Sequence, residues 1–332
     1  MSDRTDSDHI HSDRRTVRVG AIDCGTNSIR LLVADVDPAT RALADVQRRM
    51  EIVRLGHGVD RTGSIAPESM ERTLAMTREY AATCRQLGAE TVRFVATSAS
   101  RDASNAAEFI DGVRAAFTAH FGADVAPEVV SGDEEASLSF TGATGGLAAA
   151  GVVGPYLVVD LGGGSTEFVR GTGTVEAARS VDTGCVRLTE RHLADDPPTH
   201  EQVAAAEADV DAALDAAEDA VSFAGITTLV GLAGSVTTIT AHLLRLPAYS
   251  AERIHLNRST PDEMVTASTE LLELSRAERA ALPYLHPGRV DVIGAGALVW
   301  RRIIGRVTER SGDVAIVTSE HDILDGIALS QV

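Results

Sequence analysis

The sequence predicts an α/β protein built of two related units with a cleft between them. Three observations carry that expectation: strand-length apolar runs alternate with stretches of helical spacing, an Asp-x-Gly hairpin occurs twice, and the 332 residues leave room for about two domains at roughly 150 residues each. Hydrophobic residues make up 44% and charged residues 23%, near the soluble globular average, which excludes disordered, collagen-like and membrane-spanning classes. No apolar run approaches the roughly 18 to 20 residues of a membrane helix, and residues 1–16 are too polar for a signal peptide. A cytoplasmic protein without membrane contact is expected.

Residues 1–15 are aperiodic and rich in Ser, Asp, Arg and His, so residues 1–16 are taken as a disordered tail, with His9-Ile10-His11 too sparse for a metal site. Residues 17–22 read as a strand that meets the turn Asp23-Cys24-Gly25-Thr26-Asn27-Ser28, residues 29–35 as its returning partner, and residues 42–53 as a third strand. A helix over 67–87, a buried strand over 91–96, a helix over 105–121, a strand over 124–130 and a helix over 134–142 follow. The Gly/Ala stretch 142–154 is the expected hinge. Strand, turn and strand then recur over 156–171 around Gly162-Gly163-Gly164-Ser165-Thr166, with a third strand over 174–180. A long acidic helix over 199–223, a buried strand over 227–232 feeding Gly234-Ser235-Val236-Thr237-Thr238 and a helix come next. Helices over 261–273, 276–282 and 291–307, a strand over 314–318 and a helix over 323–330 complete the order.

Asp and Glu number 48 against 30 Lys plus Arg, a net charge of −18, and every basic side chain is arginine. That balance excludes a broad basic face for nucleic acid, yet arginine forks beside glycine turns match phosphate oxygens bidentately. Cys24, Cys84 and Cys185 form no Cys-x-x-Cys pair, which implies a reducing compartment and neither a disulfide framework nor a zinc site. Walker and Gly-x-Gly-x-x-Gly sequences are absent, so neither P-loop nor Rossmann binding is supported.

Glycine turns with hydroxyls let backbone amides approach an anion, and two such turns facing each other would clamp an oligophosphate. Asp23 and Asp160 end apolar strands, where a magnesium-bound or phosphate-facing role and a turn-capping role are both open. Glu167 points back toward its turn, as a site residue or as one half of a salt bridge. In Ser131-Gly132-Asp133-Glu134 the spacing is that of a capping box, which explains Glu134. Glu135, about 100° further round the helix, is free to face the cleft as a general base or to sit on a solvated face. For Arg30, Arg101, Arg187 and Arg289, each beside a turn, a surface ion pair is the plainer reading. Cys24 reads as a small buried side chain, and His321-Asp322 lacks the partners of a phosphohydrolase metal site.

The segments Ala21 through Arg30, Ala96-Thr97-Ser98-Ala99-Ser100-Arg101, Ser131 through Ala136 and Val159 through Glu167 together resemble the exopolyphosphatase and guanosine pentaphosphate phosphatase family. The likeness continues through Thr183-Gly184-Cys185-Val186-Arg187-Leu188-Thr189-Glu190 and Arg289-Val290-Asp291-Val292-Ile293-Gly294-Ala295-Gly296. It implies two related actin-like (ribonuclease H-like) domains, the first from 17–136 with 319–332 rejoining it and the second from 137–318. It also implies phosphate binding at Thr26, Asn27, Ser28, Gly163, Gly164, Ser165 and Thr166, within a substrate site that takes in Asp23, Gly25, Arg30 and Gly162. Arg101 would contact substrate phosphate, and Asp160 and Glu167 would serve Mg²⁺ (or Mn²⁺) and position water. The family places its base in Ser-Gly-x-Glu-Glu-Ala, and the capping argument selects Glu135.

The resemblance therefore implies a hydrolase releasing orthophosphate from inorganic polyphosphate, with guanosine pentaphosphate as the alternative substrate and a non-catalytic polyphosphate or nucleotide sensor as the alternative of another class. A homodimer is the assembly allowed for, and nucleic acid is no partner. The chain stops before the helical extension of longer members, which weighs against processive action on long polyphosphate. Asp325 stands where the family carries an arginine in Gly-Leu-Arg, an exchange expected to weaken an anion contact.

Overall fold

The computed structural model describes residues 16–332, so the expected tail and its His9-Ile10-His11 lie outside the described residues. Strands β1 (Val17–Cys24), β2 (Ser28–Val36) and β3 (Leu43–Ile52) form an antiparallel meander, followed by α1 (Val59–Thr62), α2 (Pro67–Gln86), β4 (Thr91–Ala96), α3 (Ser98–Asp102), α4 (Ala106–His120) and β5 (Glu128–Val129). Helix α5 (Gly132–Thr144) leads to a second meander, β6 (Tyr156–Leu161), β7 (Thr166–Gly171) and β8 (Val175–Val181). Then come α6 (Cys185–His192), α7 (His200–Glu218), β9 (Thr228–Leu232), α8 (Ala233–Leu243), α9 (Ala251–Ile254) and β10 (Asn257–Ser259). The chain ends with α10 (Pro261–Glu273), α11 (Arg276–Ala280), α12 (Ile293–Ser311), β11 (Ala315–Thr318) and α13 (Ile323–Leu329).

The two sheets repeat one topology. The first runs β3-β2-β1-β4-β5 and the second β10-β11-β9-β6-β7-β8, so in each a meander is extended beside its first strand by two parallel strands, and the second adds β10 as an antiparallel edge. Central strands buried on both faces read as continuous apolar runs. In β1, Ile22 and Cys24 pack against Tyr80, Phe109 and Phe117 of α2 and α4, while Val19 and Ala21 pack against Ile323 and Ile327 of α13. In β6, Leu157 and Val159 meet α7 and Trp300 of α12, and Val158 meets Ala136 and Phe140 of α5. Helix α5 thus lies against both sheets, since its Leu138 packs with the first. Among the described residues no helix is long and apolar enough to cross a membrane.

Three expectations change here. Gly142 is no hinge: it lies inside α5, where a Cβ would come within 1.8 Å of the Asp322 carbonyl oxygen, as one on Gly326 would come within 2.0 Å of that of Leu138. The two glycines let α5 and α13 cross backbone to backbone, and the domain boundary drawn at 136/137 falls inside this continuous helix. The acid at 325 meets no anion site either. Asp325 is 3% exposed, pairs with Arg48 at 2.7 Å and accepts from the Asp322 amide at the start of α13. The strand expected over 124–130 shrinks to Glu128–Val129. Helix α6 went unread because it is short and no side chain caps it.

Candidate active site

Both hairpin turns have their carbonyls tied backward. In the first, Thr26 O accepts from the Gly56 amide at 2.9 Å, and Asn27 O from those of Val53 at 3.0 Å and Arg54 at 2.8 Å. In the second, Gly162 O accepts from the Cys185 amide (3.0 Å), Gly163 O from Val186 (2.9 Å) and Arg187 (3.1 Å), and Gly164 O from the Arg187 side-chain Nε (2.8 Å). These donors are the first amides of α6, which have no partner inside their own helix. In a planar trans peptide the N–H points opposite to the C=O. The amides of Gly163, Gly164 and Ser165 therefore turn away from α6, an array of the kind that binds anions.

Between the turns lies a cavity of about 90 Å³. Of the residues expected at the site, Asp23, Gly25, Thr26, Asn27, Ser28, Arg30, Glu135, Asp160, Gly162, Gly163 and Ser165 line it. Four do not. Thr166 is fully buried and donates its hydroxyl to Thr183 O at 2.6 Å, so that hydroxyl is spent inside the fold. Gly164 turns its carbonyl to Arg187. Arg101 reaches Val130 O (2.9 Å) and the Glu135 carboxylate (3.3 Å). Glu167 is 1% exposed and accepts from Ser180 Oγ at 2.7 Å, one layer behind the cavity wall. Nor does Gly163 keep open space for a ligand: a Cβ there would meet Thr26 at 3.1 Å, so the missing side chain lets the two turns approach each other.

The carboxylates differ in what neutralises them. Asp23 accepts from Arg30 Nε at 2.9 Å and NH2 at 2.7 Å, and the same guanidinium binds Asp322. Burial still pushes Asp23 above its ordinary value, with Arg30 opposing. Asp160, directly opposite Glu167 in the β6–β7 register, accepts only a hydroxyl, Ser139 Oγ at 2.6 Å. Burial, helped by Asp322, pushes Asp160 up to about 6. Burial and the neighbouring Asp160 push Glu167 up to about 8. Glu135 is raised well above the usual carboxylate range by burial and by Glu167, with Arg101 opposing.

Glu134 and Glu135 part as the helix geometry requires. Ser131 Oγ accepts from the Glu134 amide at 3.2 Å, but the Glu134 side chain pairs with Arg93 at 2.6 Å instead of closing the capping box. Glu134 is exposed, whereas Glu135 is 7% exposed and lines the cavity.

The opposite wall is built from the start of the run over 234–238 and from Arg289, the arginine expected in a surface ion pair. Ala233, Gly234, Ser235 and Arg289 also line the cavity, with Arg289 NH1 donating to Gly234 O at 3.2 Å. A Cβ on Gly234 would lie 2.1 Å from that guanidinium, so a larger residue there would displace the Arg289 fork. Burial lowers the Arg289 pKa, and among the described residues no carboxylate pairs with it. The available signal was the run Gly234-Ser235-Val236-Thr237-Thr238, which opens α8 after a left-handed Ala233 (φ 65°).

A divalent cation fits this donor set. Mg²⁺ is held by one or two carboxylates plus waters and substrate phosphates, and buried carboxylates lacking a full ionic partner are costly without one. Among the described residues no group of three or more His, Cys, Asp or Glu side chains forms a metal cage, and a two-carboxylate site needs none.

Comparison with known proteins agrees with the geometry. The chain is 49% identical over 319 residues to Exopolyphosphatase 2 of Mycobacterium tuberculosis, covering 94% of this chain and 98% of that protein. It is 30% identical over 322 residues to the bifunctional 3-dehydroquinate synthase/phosphatase of Fusobacterium nucleatum, covering 94% of this chain and 46% of that one. A solved exopolyphosphatase-like protein superimposes with a TM-score of 0.89 at 42% identity, covering 95% and 98% of the two chains. The Aquifex aeolicus Ppx/GppA structure does so with 0.77 at 28%, covering 96% and 98%. Residues 32–331 match the Ppx/GppA phosphatase family as a whole, and the chain belongs to that family.

Proposed function

We propose that this protein is an exopolyphosphatase, and that the terminal phosphate of inorganic polyphosphate binds between the two turns. The observation that carries the reading is the placement of a buried, cavity-facing carboxylate, Glu135, beside two turns in which the carbonyls of Thr26, Asn27, Gly162, Gly163 and Gly164 are held by donors behind them. Full-length similarity to Exopolyphosphatase 2 supports it. Water attacks the terminal phosphorus, the bridging P–O bond breaks, and the proton passes to Glu135. The products are orthophosphate and a chain one phosphate shorter, which carries the bonding pair on its new terminal oxygen. The amides of Gly163 and Ser165, the Ser28 hydroxyl and the Thr26 hydroxyl, which also shares a hydrogen bond with Ser98 Oγ at 2.9 Å, receive charge developing on the phosphoryl oxygens, each such donor contributing roughly 3 kcal/mol. Asp160, with Glu167 behind it, would hold Mg²⁺ or Mn²⁺, which when bound would supply the charge neutralisation a polyanion needs to approach these acids.

The two sheets support a division into actin-like domains facing each other across the cavity, residues 17–136 with 319–332 in one and 137–318 in the other. Their shared topology and the packing of α13 on β1 favour it. A second substrate reading, guanosine pentaphosphate, is favoured by a cavity of about 440 Å³ beside the first, sharing Arg30, Gly234 and Arg289 with it and lined further on by Tyr249 and Tyr284. The test is phosphate release from polyphosphate, guanosine pentaphosphate and ATP, each with Mg²⁺. Polyphosphate is expected to be hydrolysed fastest, and excess chelator to abolish release until Mg²⁺ or Mn²⁺ is restored. Faster release from guanosine pentaphosphate would favour the second reading, and tight binding without release would favour the sensor.

A further inference from the structure

The turn over 162–165 is braced by a side chain that also grips the other half of the molecule. Arg187, on α6, donates from Nε to Gly164 O at 2.8 Å, from NH1 to Asp60 and from NH2 to Asp102 at 2.6 Å. Asp60 belongs to α1 and Asp102 ends α3, and both helices pack into the core of the first sheet. The Arg187 side chain is 11% exposed. Its rigid fork of five N–H donors is spread over three acceptors on two halves, which an ammonium on a flexible stem would not reproduce. Flanking contacts follow the same seam: Arg191 pairs with Asp60 at 2.8 Å, Glu190 accepts from the Gly58 amide at 3.0 Å, and Arg54 pairs with Asp291 at 3.0 Å.

We infer that Arg187 is a positioning residue that makes assembly of the anion-binding turn conditional on closure of the two halves. The peptide joining Gly164 to Ser165 is planar, so the contact that fixes the Gly164 carbonyl also fixes the Ser165 amide aimed at the cavity. Asp60 and Asp102 hold the guanidinium where Nε meets that carbonyl. With the halves apart both carboxylates move away, the fork is free to turn to water, and the peptide plane loses its brace. The same turn rests on the opposite half, since a Cβ on Gly164 would lie 2.7 Å from both Ser98 Oγ and Thr26 Oγ1. Closure and construction of the anion site are then one event, and phosphate transfer is confined to the closed molecule.

This inference rests on reading the cavity as the site of phosphoanhydride hydrolysis, and the test separates the two. Wild type, Arg187→Lys, Arg187→Gln and the double variant Asp60→Asn/Asp102→Asn are compared for thermal midpoint, for kcat and KM on polyphosphate with Mg²⁺, and for compaction by X-ray scattering with tripolyphosphate. Misplacing a catalytic contact by about 1 Å costs on the order of 10²-fold. Arg187→Gln is expected to lose compaction and about 10²-fold in kcat. Arg187→Lys keeps a charge for the two acids but cannot also brace the carbonyl, so it should compact normally while kcat stays low. Asp60→Asn/Asp102→Asn leaves Nε intact yet should lose compaction and about 10-fold or more in kcat. Wild-type kcat in that double variant, or in Arg187→Lys, overturns the inference. Should Arg187→Gln fail to fold, those two variants decide alone. Should wild type release no phosphate, the functional reading fails, and unchanged compaction in the double variant would still overturn the coupling.

Discussion

The two hairpin turns share an order of residues, strand, aspartate, glycine, hydroxyl, strand, but their aspartates live in different electrostatic settings. Asp23 spends its charge on Arg30, at 2.7 and 2.9 Å, and Arg30 in turn holds Asp322 at the head of α13. Among the described residues, Asp160 has one hydroxyl and no arginine bonded to it. The repeat supplied two equivalent strand-end acids, and the side chains around them separated their work. Asp23 fixes the Arg30 guanidinium and the joint with the last helix, and Asp160 lies in the cavity wall with its carboxylate bonded to a hydroxyl. Glu135 is brought between the turns by α5, and as the proposed base it is the group on which turnover should depend most.

Replacing Glu135 tests that last statement and should give the largest effect. Glu135→Gln keeps size and shape but cannot take the proton from attacking water. A positioned general base contributes about 10²- to 10⁴-fold, so kcat should fall by that order, roughly 3 to 5 kcal/mol in the barrier, while KM stays within a few-fold of wild type. Steady-state phosphate release measures both. Normal kcat would move the base to Glu167.

The contrast between the aspartates is sharpened by titration. A carboxyl whose folded pKa is raised binds its proton more tightly in the folded state. The stability it contributes is then fully present below the unfolded value, about 4, and is lost as pH rises through the folded one. For Asp160 that window runs from about 4 to about 6. In metal-free buffer, Asp160→Asn should therefore flatten the decline of the thermal midpoint across this range and gain stability over wild type above pH 6, at the expense of activity. Asp23→Asn should instead lower the midpoint at pH 7, because Arg30 loses one of its two acids inside the protein. Calorimetry from pH 4 to 8 on both variants checks this, and equal slopes would erase the distinction between the turns.

Legibility followed the same division between local and assembled features. The strands over 17–22, 29–35 and 156–171 and the helix over 261–273 were readable because period, turn residues and caps lie within a few positions. Glu135 was separable from Glu134 because the N-cap serine fixes the helical phase. What escaped was set by distant partners. The fate of the Thr166 hydroxyl depends on Thr183, the burial of Glu167 on Ser180, and the brace on Gly164 on Arg187, 23 positions away. Helix α6 starts where the carbonyls of another turn meet its amides, and no sequence period records that. Gly142 looked like a hinge because its reason, a backbone crossing with α13, lies 180 or more positions along the chain.

The smallest expected effect belongs to Glu134. Its carboxylate is exposed and pairs with Arg93, which keeps Glu128 as a second partner at 2.7 Å. Surface pairs of this kind contribute about 0 to 1 kcal/mol, and the N-cap bond from Ser131 uses the backbone amide of residue 134, which substitution leaves in place. Glu134→Gln should therefore change the thermal midpoint by no more than a few degrees and leave kcat and KM at wild-type values. The measurement is worth making beside Glu135→Gln because the two positions are adjacent and chemically identical, so only their rotation about α5 separates them. A large loss of kcat in Glu134→Gln with little in Glu135→Gln would mean that α5 turns its other acidic face to the cavity in the working enzyme, and the comparison of the two turns would then have to be rebuilt around Arg93.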